Sequence, residues 1–322
     1  MKYIIQYLQN AVTKKVPYLR CNGNKELDKF IELSKPVTQN GTVADYIPAL
    51  ASAKQEHLSV SIRYLDGEEM YAGDFVEAFT LQSISKVLSL LYVLEFYGEE
   101  VVFKHVGKEP TGDPFNSIVK LEEGPDTKPL NPMINAGALA VTSLFPGNGV
   151  TERWERFQQF LTPFFEKDKI EVDTEIQKSE FDTAFLNRSM IYYLKQNEII
   201  NDDVEELMTL YTRQCSVLAD CLDIAKIGSI LAMNEGASFV SRRSVQIAKT
   251  FMVTCGMYNA SGEFAIEVGV PAKSGVSGGI LAVVPGRCGV GIFGPALDKM
   301  GNSIGGLHLI KNLSKSYNWS IF

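Results

Sequence analysis

Histidine is scarce in this chain of 322 residues: His57, His105 and His308 stand far apart. That excludes an H-E-x-x-H helix and any histidine metal site local in sequence, and each of the three is more simply a packing or surface residue. The five cysteines (Cys21, Cys215, Cys221, Cys255, Cys288) are odd in number, scattered and without a C-x-x-C pair. A disulfide framework or a thiolate zinc site is therefore not expected, and a reducing compartment is. No block of five or six lysines or arginines occurs, and 31 basic against 38 acidic residues leave a net charge of −7. A nucleic-acid partner is not expected, and an acidic chain suits an anionic membrane surface poorly. No apolar run reaches the length of a membrane span. The opening MKYIIQYLQNAVTKK spaces Ile4, Ile5, Leu8 and Val12 as a helix would, without the long apolar core of a signal peptide, so the expected location is cytoplasmic. Internal repeats and low-complexity linkers are also missing.

What remains is ordinary globular material, 45% apolar and 21% charged, long enough for two domains or one large one. Within it, residues 79 to 95, FTLQSISKVLSLLYVLE, place Ser83 and Lys86 three residues apart at the opening of a helix. Val87, Leu88, Leu90, Leu91, Val93 and Leu94 make that helix apolar nearly all round, as a core helix is, and Gly98 offers a stop. Residues at i and i+3 share a helix face, so the Lys86 amine can lie against the Ser83 hydroxyl. Burial and the positive end of a helix both lower a lysine pKa, which lets the amine act as base toward a serine nucleophile. An S-x-x-K arises about once by chance in a chain of this length; Ser117 and Lys120 form a second one. Only Ser83 has a core helix behind it; NSIVKLEEG reads as a short strand or turn with a solvated lysine.

The order of elements predicts an α+β fold. Residues 24 to 35 read as an amphipathic helix closed before Pro36, and GTVADYIPAL (41 to 50) as a loop whose Tyr46 is most simply a packing residue. HLSVSIRYL (57 to 65) and EEMYAGDF (68 to 75) form a hairpin about Asp66-Gly67. GKEPTGDPFN (107 to 116) is an exposed loop, and NPMINAGALAVTSLF (131 to 145) a turn leading into a helix whose Ala136, Gly137 and Ala138 allow close packing. Trp154, Phe157, Phe160, Leu161 and Phe164 stand at helical spacing as core. Residues 172 to 196 continue as a helical stretch with Glu180 and Asn187 two turns apart on one face; YTRQCSVLAD ends one helix and caps the next at Ser216, and Ser241 caps another. Strand signals return in SGEFAIEVGVPAKSG (261 to 275), VSGGILAVVPG (276 to 286) and CGVGIFGPAL (288 to 297), before a terminal helix. The expectation is one antiparallel sheet built from both chain ends with flanking helices, plus an all-helical lobe: a single domain, 1 to 322, with a sheet part (1 to 78 plus 257 to 322) and a helical part (79 to 256).

If Ser83 opens its helix at the seam of sheet and lobe, the facing strand edge should stabilise an oxyanion. KSGVSGG (273 to 279) is suited to that, because Gly275 lets backbone approach closely; the N–H groups of Ser83 and Val276 form the natural pair. S-x-x-K on the first core helix and K-S-G on a later strand resemble the serine β-lactamase and penicillin-binding superfamily. Closer still, VADYIPAL, FTLQSISKV, GKEPTGDPFNS, NPMINAGA, SEFDTAFLNRS, YTRQCSV, TCGMYNASGEFA and PAKSGVSGGI, in this order, resemble the block signatures of the glutaminase family of amidohydrolases from about residue 24 to 316.

The resemblance implies a β-lactamase-like fold and hydrolysis of L-glutamine to L-glutamate and ammonia, with no metal or organic cofactor, by a homodimer or homotetramer. Ser83 would be the nucleophile and Lys86 its base. Tyr46, Asn135, Glu180, Asn187, Tyr211, Tyr258 and Val276 would line the substrate site, with Tyr258 as proton donor to the leaving ammonia. The residue types suit glutamine: Glu180 for its α-ammonium, Asn135, Asn187 and Tyr211 for its α-carboxylate. One departure is Asn259, where the family commonly has aspartate. Two other readings compete: a β-lactam-recognising acyl enzyme or D-alanyl peptidase, and a non-catalytic amino-acid-binding protein on the same scaffold.

Overall fold

The computed structural model describes residues 25–112, 127–167 and 169–322. The apolar spacing of residues 4 to 12, the Ser117/Lys120 pair and the end of the 107 to 116 loop lie outside the described residues.

Helix α1 (Lys25–Ser34) turns Leu27 and Ile31 inward, as its spacing requires. Strand β1 (Ser59–Tyr64) and strand β2 (Glu69–Ala72) form the expected hairpin, and Gly67 takes the positive φ of 92° that its turn needs. Strand β3 (Phe79–Thr80) runs into a single 3-10 turn, Gln82–Ile84, and then helix α2 (Ser85–His105), whose first ten residues are all buried. The expected stop at Gly98 is a kink instead. The backbone leaves helical geometry there (φ 75°, ψ 168°), but the helix resumes because Val102 docks fully into the core.

Helices α3 (Asn135–Ser143), α4 (Gly149–Leu161), α5 (Thr174–Thr183), α6 (Phe185–Gln196) and α7 (Val204–Cys215) follow. Gly137 is required where α3 meets the preceding turn, since a Cβ there would sit 1.9 Å from the Asn131 carbonyl oxygen. The aromatic residues of α4 pack as core, Phe157 and Phe160 against Tyr92. The helical stretch from 172 to 196 divides at Ala184 (φ −80°, ψ 45°), so Glu180 and Asn187 stand on two helices, not two turns apart on one. Ser216 closes α7, and two strand residues, β4 (Leu218–Ala219), pair with β3 before helix α8 (Cys221–Ala232) starts. The cap of α8 is therefore Asp220, which exchanges side-chain and backbone hydrogen bonds with Asp223 in a capping box. A short hairpin, β5 (Gly236–Ala237) and β6 (Val240–Ser241), precedes helix α9 (Arg242–Cys255), capped by Ser241 as expected.

Residues 261 to 267, expected as strand, form helix α10 (Ser261–Glu267). Ser261 is tied back to Met257 and Tyr258, and Phe264 and Val268, four apart, are the buried pair, so helical spacing wins over the E-F-A-I-E alternation. Strands β7 (Ala272–Ser274), β8 (Gly279–Val284) and β9 (Cys288–Phe293) and helix α11 (Ile304–Tyr317) complete the fold. All pairings are antiparallel in the order β2-β1-β9-β8-β7, so β1 from one chain end lies beside β9 from the other. Alternation along β8 sends Ile280, Ala282 and Val284 toward α1 and α11 and Leu281 and Val283 toward α8 and the helices beyond. The α+β fold with its two-ended sheet is thus as expected, while the segment from 79 to 256 also holds two short strand pairs.

Candidate active site

Ser83 sits in the 3-10 turn two residues before the start of α2 and is buried. Two contacts fix its chain against the strand edge opposite. A Cβ on Gly275 would come within 2.7 Å of the Leu81 carbonyl oxygen, and the Ser277 hydroxyl donates to the Thr80 carbonyl at 2.7 Å. Only glycine permits that approach, which brings the K-S-G segment, with Val276 after it, beside the turn carrying Ser83. The backbone on both sides of Ser83 in space is held in an uncommon state: Gln82 has φ +46° and Tyr258 φ +53°. Such strain persists only where surroundings over-determine it, as at active sites.

Lys86, 1% exposed, donates from Nζ to Asn135 Oδ1 at 2.6 Å and to the Met133 carbonyl at 3.3 Å. Burial lowers its pKa from 10.5 to about 8, against Cys215 and Glu180, which raise it. Near neutral pH roughly one lysine in ten is then uncharged, against roughly one in three thousand for a solvated one. Asn135 carries the next links: its Oδ1 also accepts from the Tyr211 hydroxyl at 3.4 Å, and its Nδ2 donates to Asn187 Oδ1 at 3.1 Å. The Tyr258 hydroxyl is hydrogen-bonded to Ser83 and donates to the Ser274 carbonyl at 3.2 Å. Burial raises its pKa, so it stays a phenol.

Above these groups opens a cavity of about 120 Å³, lined by Tyr46, Gln82, Ser83, Asn135, Glu180, Asn187, Tyr211 and Cys215 among others. Tyr46, more than half exposed, stands at its rim. Glu180 is buried with no hydrogen-bond partner for Oε2. Burial pushes its carboxyl up to about 8, against the pull of the Lys86 charge and of contacts with Gln82 and Cys215. Six of the nine expected site residues thus face one cavity, with Lys86 beneath it and Tyr258 reached through Ser83. Val276 faces away, into an adjoining cavity of about 230 Å³, and packs against Tyr258. Among the described residues no group of three or more His, Cys, Asp or Glu side chains is placed to hold a metal ion.

Sequence reasoning gave no role to three residues that the structure puts here. Gln82 and Cys215 line the cavity. Lys273 is fully buried, with Nζ 4.5 Å from the Tyr258 ring centroid and 2.7 Å from the Ser274 carbonyl oxygen it donates to. Burial and the nearby Lys86 charge hold its pKa well below the usual lysine value. A lysine at the head of K-S-G was a visible signal; nothing in the sequence distinguished Gln82 or Cys215.

A family model described as Glutaminase matches residues 41–322. The glutaminase of Geobacillus thermodenitrificans (strain NG80-2) is 56% identical over 305 residues, covering 93% of this chain and 99% of that protein. Glutaminase 2 of Bacillus subtilis (strain 168) is 54% identical over 307 residues, covering 94% and 99%. Among solved structures, a probable glutaminase from Bacillus subtilis complexed with 6-diazo-5-oxo-L-norleucine has a TM-score of 0.86 at 38% identity, over 96% of this chain and all of that one. The covalent complex of a Bacillus subtilis glutaminase with 5-oxo-L-norleucine, formed by reaction with 6-diazo-5-oxo-L-norleucine, has a TM-score of 0.82 at 37% identity, over 92% and 99%.

Proposed function

Because the chain belongs to the glutaminase family and hydrolyses glutamine, we propose that it does so through a glutamyl ester on Ser83, with Lys86 as the base. The observation that carries this is the buried Lys86, its pKa depressed to about 8, one helical turn from a serine on the floor of the cavity. The Lys86 amine takes the Ser83 proton as Oγ attacks the carboxamide carbon. The oxyanion is held by the backbone N–H groups of Ser83 and Val276. The C–N bond breaks as Tyr258, kept protonated by burial, gives the leaving nitrogen its proton and ammonia departs. Water then attacks the ester as its proton passes to the Tyr258 oxygen, and the acyl C–O bond breaks to release glutamate as Ser83 takes back the proton held by Lys86.

Specificity follows from the upper part of the cavity. The partnerless Oε2 of Glu180 suits an α-ammonium, and the amides of Asn135 and Asn187 with the Tyr211 hydroxyl suit an α-carboxylate. Tyr46 closes the rim. The same reading takes the protein as a cytoplasmic homodimer or homotetramer. The exposed Phe185 and Tyr192 on α6 support the association, and the free thiols of Cys215, Cys221, Cys255 and Cys288 the reducing compartment. The β-lactam and binding-protein readings are set aside by the family membership.

The test is labelling with 6-diazo-5-oxo-L-norleucine followed by peptide mass mapping. One adduct on the peptide containing Ser83 is expected, with loss of ammonia release. Ser83→Ala, folded by circular dichroism, should take no adduct and lose activity by at least about a thousandfold. An adduct on another residue, or turnover retained in Ser83→Ala, would sink the mechanism.

A further inference from the structure

We propose that Cys215 is a positioning residue for glutamine hydrolysis, its S–H holding the Glu180 carboxylate in the orientation that receives the substrate's α-ammonium. This rests on the reading of Glu180 given above. Cys215 is the last residue of α7, one turn beyond Tyr211, so both side chains reach the same cavity. Its thiol and the Gln82 side chain lie against the Glu180 carboxyl. A lone buried cysteine would say nothing. Here it lines the cavity beside a carboxylate oxygen, Glu180 Oε2, that is buried and without a partner.

The thiol is suited to donating and not to attack. Burial and the neighbouring Glu180 charge push its pKa well above that of a free cysteine, so it keeps its proton. Two neutral hydroxyls also neighbour the sulfur, that of Ser85 at 3.9 Å from Sγ and that of Tyr211; they donate in addition to the Gln82 carbonyl at 2.7 Å and to Asn135 Oδ1. An ionised carboxylate is the strongest acceptor beside the sulfur. When the α-ammonium arrives and Glu180 ionises, one carboxylate oxygen faces the ligand while the thiol and Gln82 hold the group from behind.

Cys215→Ala, Cys215→Ser and Glu180→Gln, each checked by circular dichroism, would be assayed on L-glutamine across pH 6.5 to 9.5. Glutaramate, which keeps the carboxamide and carboxylate but lacks the amino group, would be titrated as a competitive inhibitor. In Cys215→Ala the KM for glutamine should rise roughly five- to tenfold, with kcat within about threefold. The acidic limb of kcat/KM should move to higher pH, because the carboxyl loses a donor that lowers its pKa. The glutaramate inhibition constant should stay unchanged, and Cys215→Ser should restore most of the affinity for glutamine. A space-filling role predicts otherwise: alanine and serine, nearly equal in volume, would behave alike and glutaramate would weaken in parallel, and that result overturns the proposal. If Glu180→Gln leaves the KM for glutamine unchanged, the reading of Glu180 falls and Cys215 with it. If Glu180→Gln raises KM and Cys215→Ala does not, only the role of Cys215 falls. Should Cys215→Ala not fold, Cys215→Val supplies an apolar side chain of similar size without a donor.

Discussion

Lys86 and Glu180 share one buried site and need opposite things from it. On the mechanism proposed above, the lysine must be neutral to act as base, and the carboxyl must be ionised to hold an ammonium. Both titrate near 8 in the empty site, Lys86 brought down and Glu180 brought up by the same burial. Because each charge also acts on the other, the two proton losses belong to the pair. The productive free enzyme has lost both protons, so log kcat/KM should fall toward a slope of two as pH drops below about 8. Once glutamine is bound, its ammonium keeps Glu180 ionised, so log kcat should fall with a slope of one. Steady-state profiles from pH 6 to 9.5 test this, and equal slopes in the two plots would mean that Glu180 does not titrate on binding. Sequence made the Ser83–Lys86 half of this site legible, because three residues along a 3-10 turn that runs straight into α2 carry their own geometry. Asn135, Glu180, Asn187 and Tyr211 come from four different helices. No local spacing joins them, and only the resemblance of whole blocks placed them together.

The strands of the C-terminal third were legible by their β-branched and glycine-bounded runs, but the reason for the glycines was not. They belong to the contact between α8 and the sheet. A Cβ on Gly289 would fall 2.0 Å from the Ser229 nitrogen and 2.2 Å from the Ala225 carbonyl oxygen; one on Gly291 would fall 2.3 Å from the Cys221 carbonyl oxygen. The helix therefore lies directly on strand backbone. Gly289→Ala should lift α8 off β9 and destabilise the protein by about 3 kcal/mol. Gly67→Ala, in an open turn at positive φ with nothing near its Cβ, should cost about 1 kcal/mol. Urea denaturation of both variants checks this ordering, and a Gly289→Ala protein as stable as Gly67→Ala would mean that α8 sits more loosely than drawn. The misread segment from 261 to 267 teaches the converse. A five-residue alternation is too short to decide between helix and strand when only one of its side chains, Phe264, is buried.

Across the whole molecule, the division into a sheet part (1 to 78 plus 257 to 322) and a helical part (79 to 256) follows the order of the chain, and folding need not respect it. Helix α8 belongs by sequence to the helical part, yet it packs against β1, β8 and β9. One cluster of buried residues accordingly runs from Leu88 and Phe157 in the helices through Ile224 and Ile227 of α8 to Leu281 and Val283 of the sheet. Removing either part would expose that shared layer, so we propose that the two unfold together. The two tryptophans are placed to test it, Trp154 in α4 of the helical part and Trp319 just after α11 against the sheet, both buried. Single-tryptophan proteins, Trp154→Phe and Trp319→Phe, should give urea midpoints by fluorescence that each coincide with the far-ultraviolet circular dichroism midpoint of the same protein. A fluorescence transition at lower urea than the dichroism in one of them would mark the part that opens first. That outcome would make the candidate active site, which brings Ser83 and Glu180 of one part together with Tyr258 of the other, a seam between two folding units.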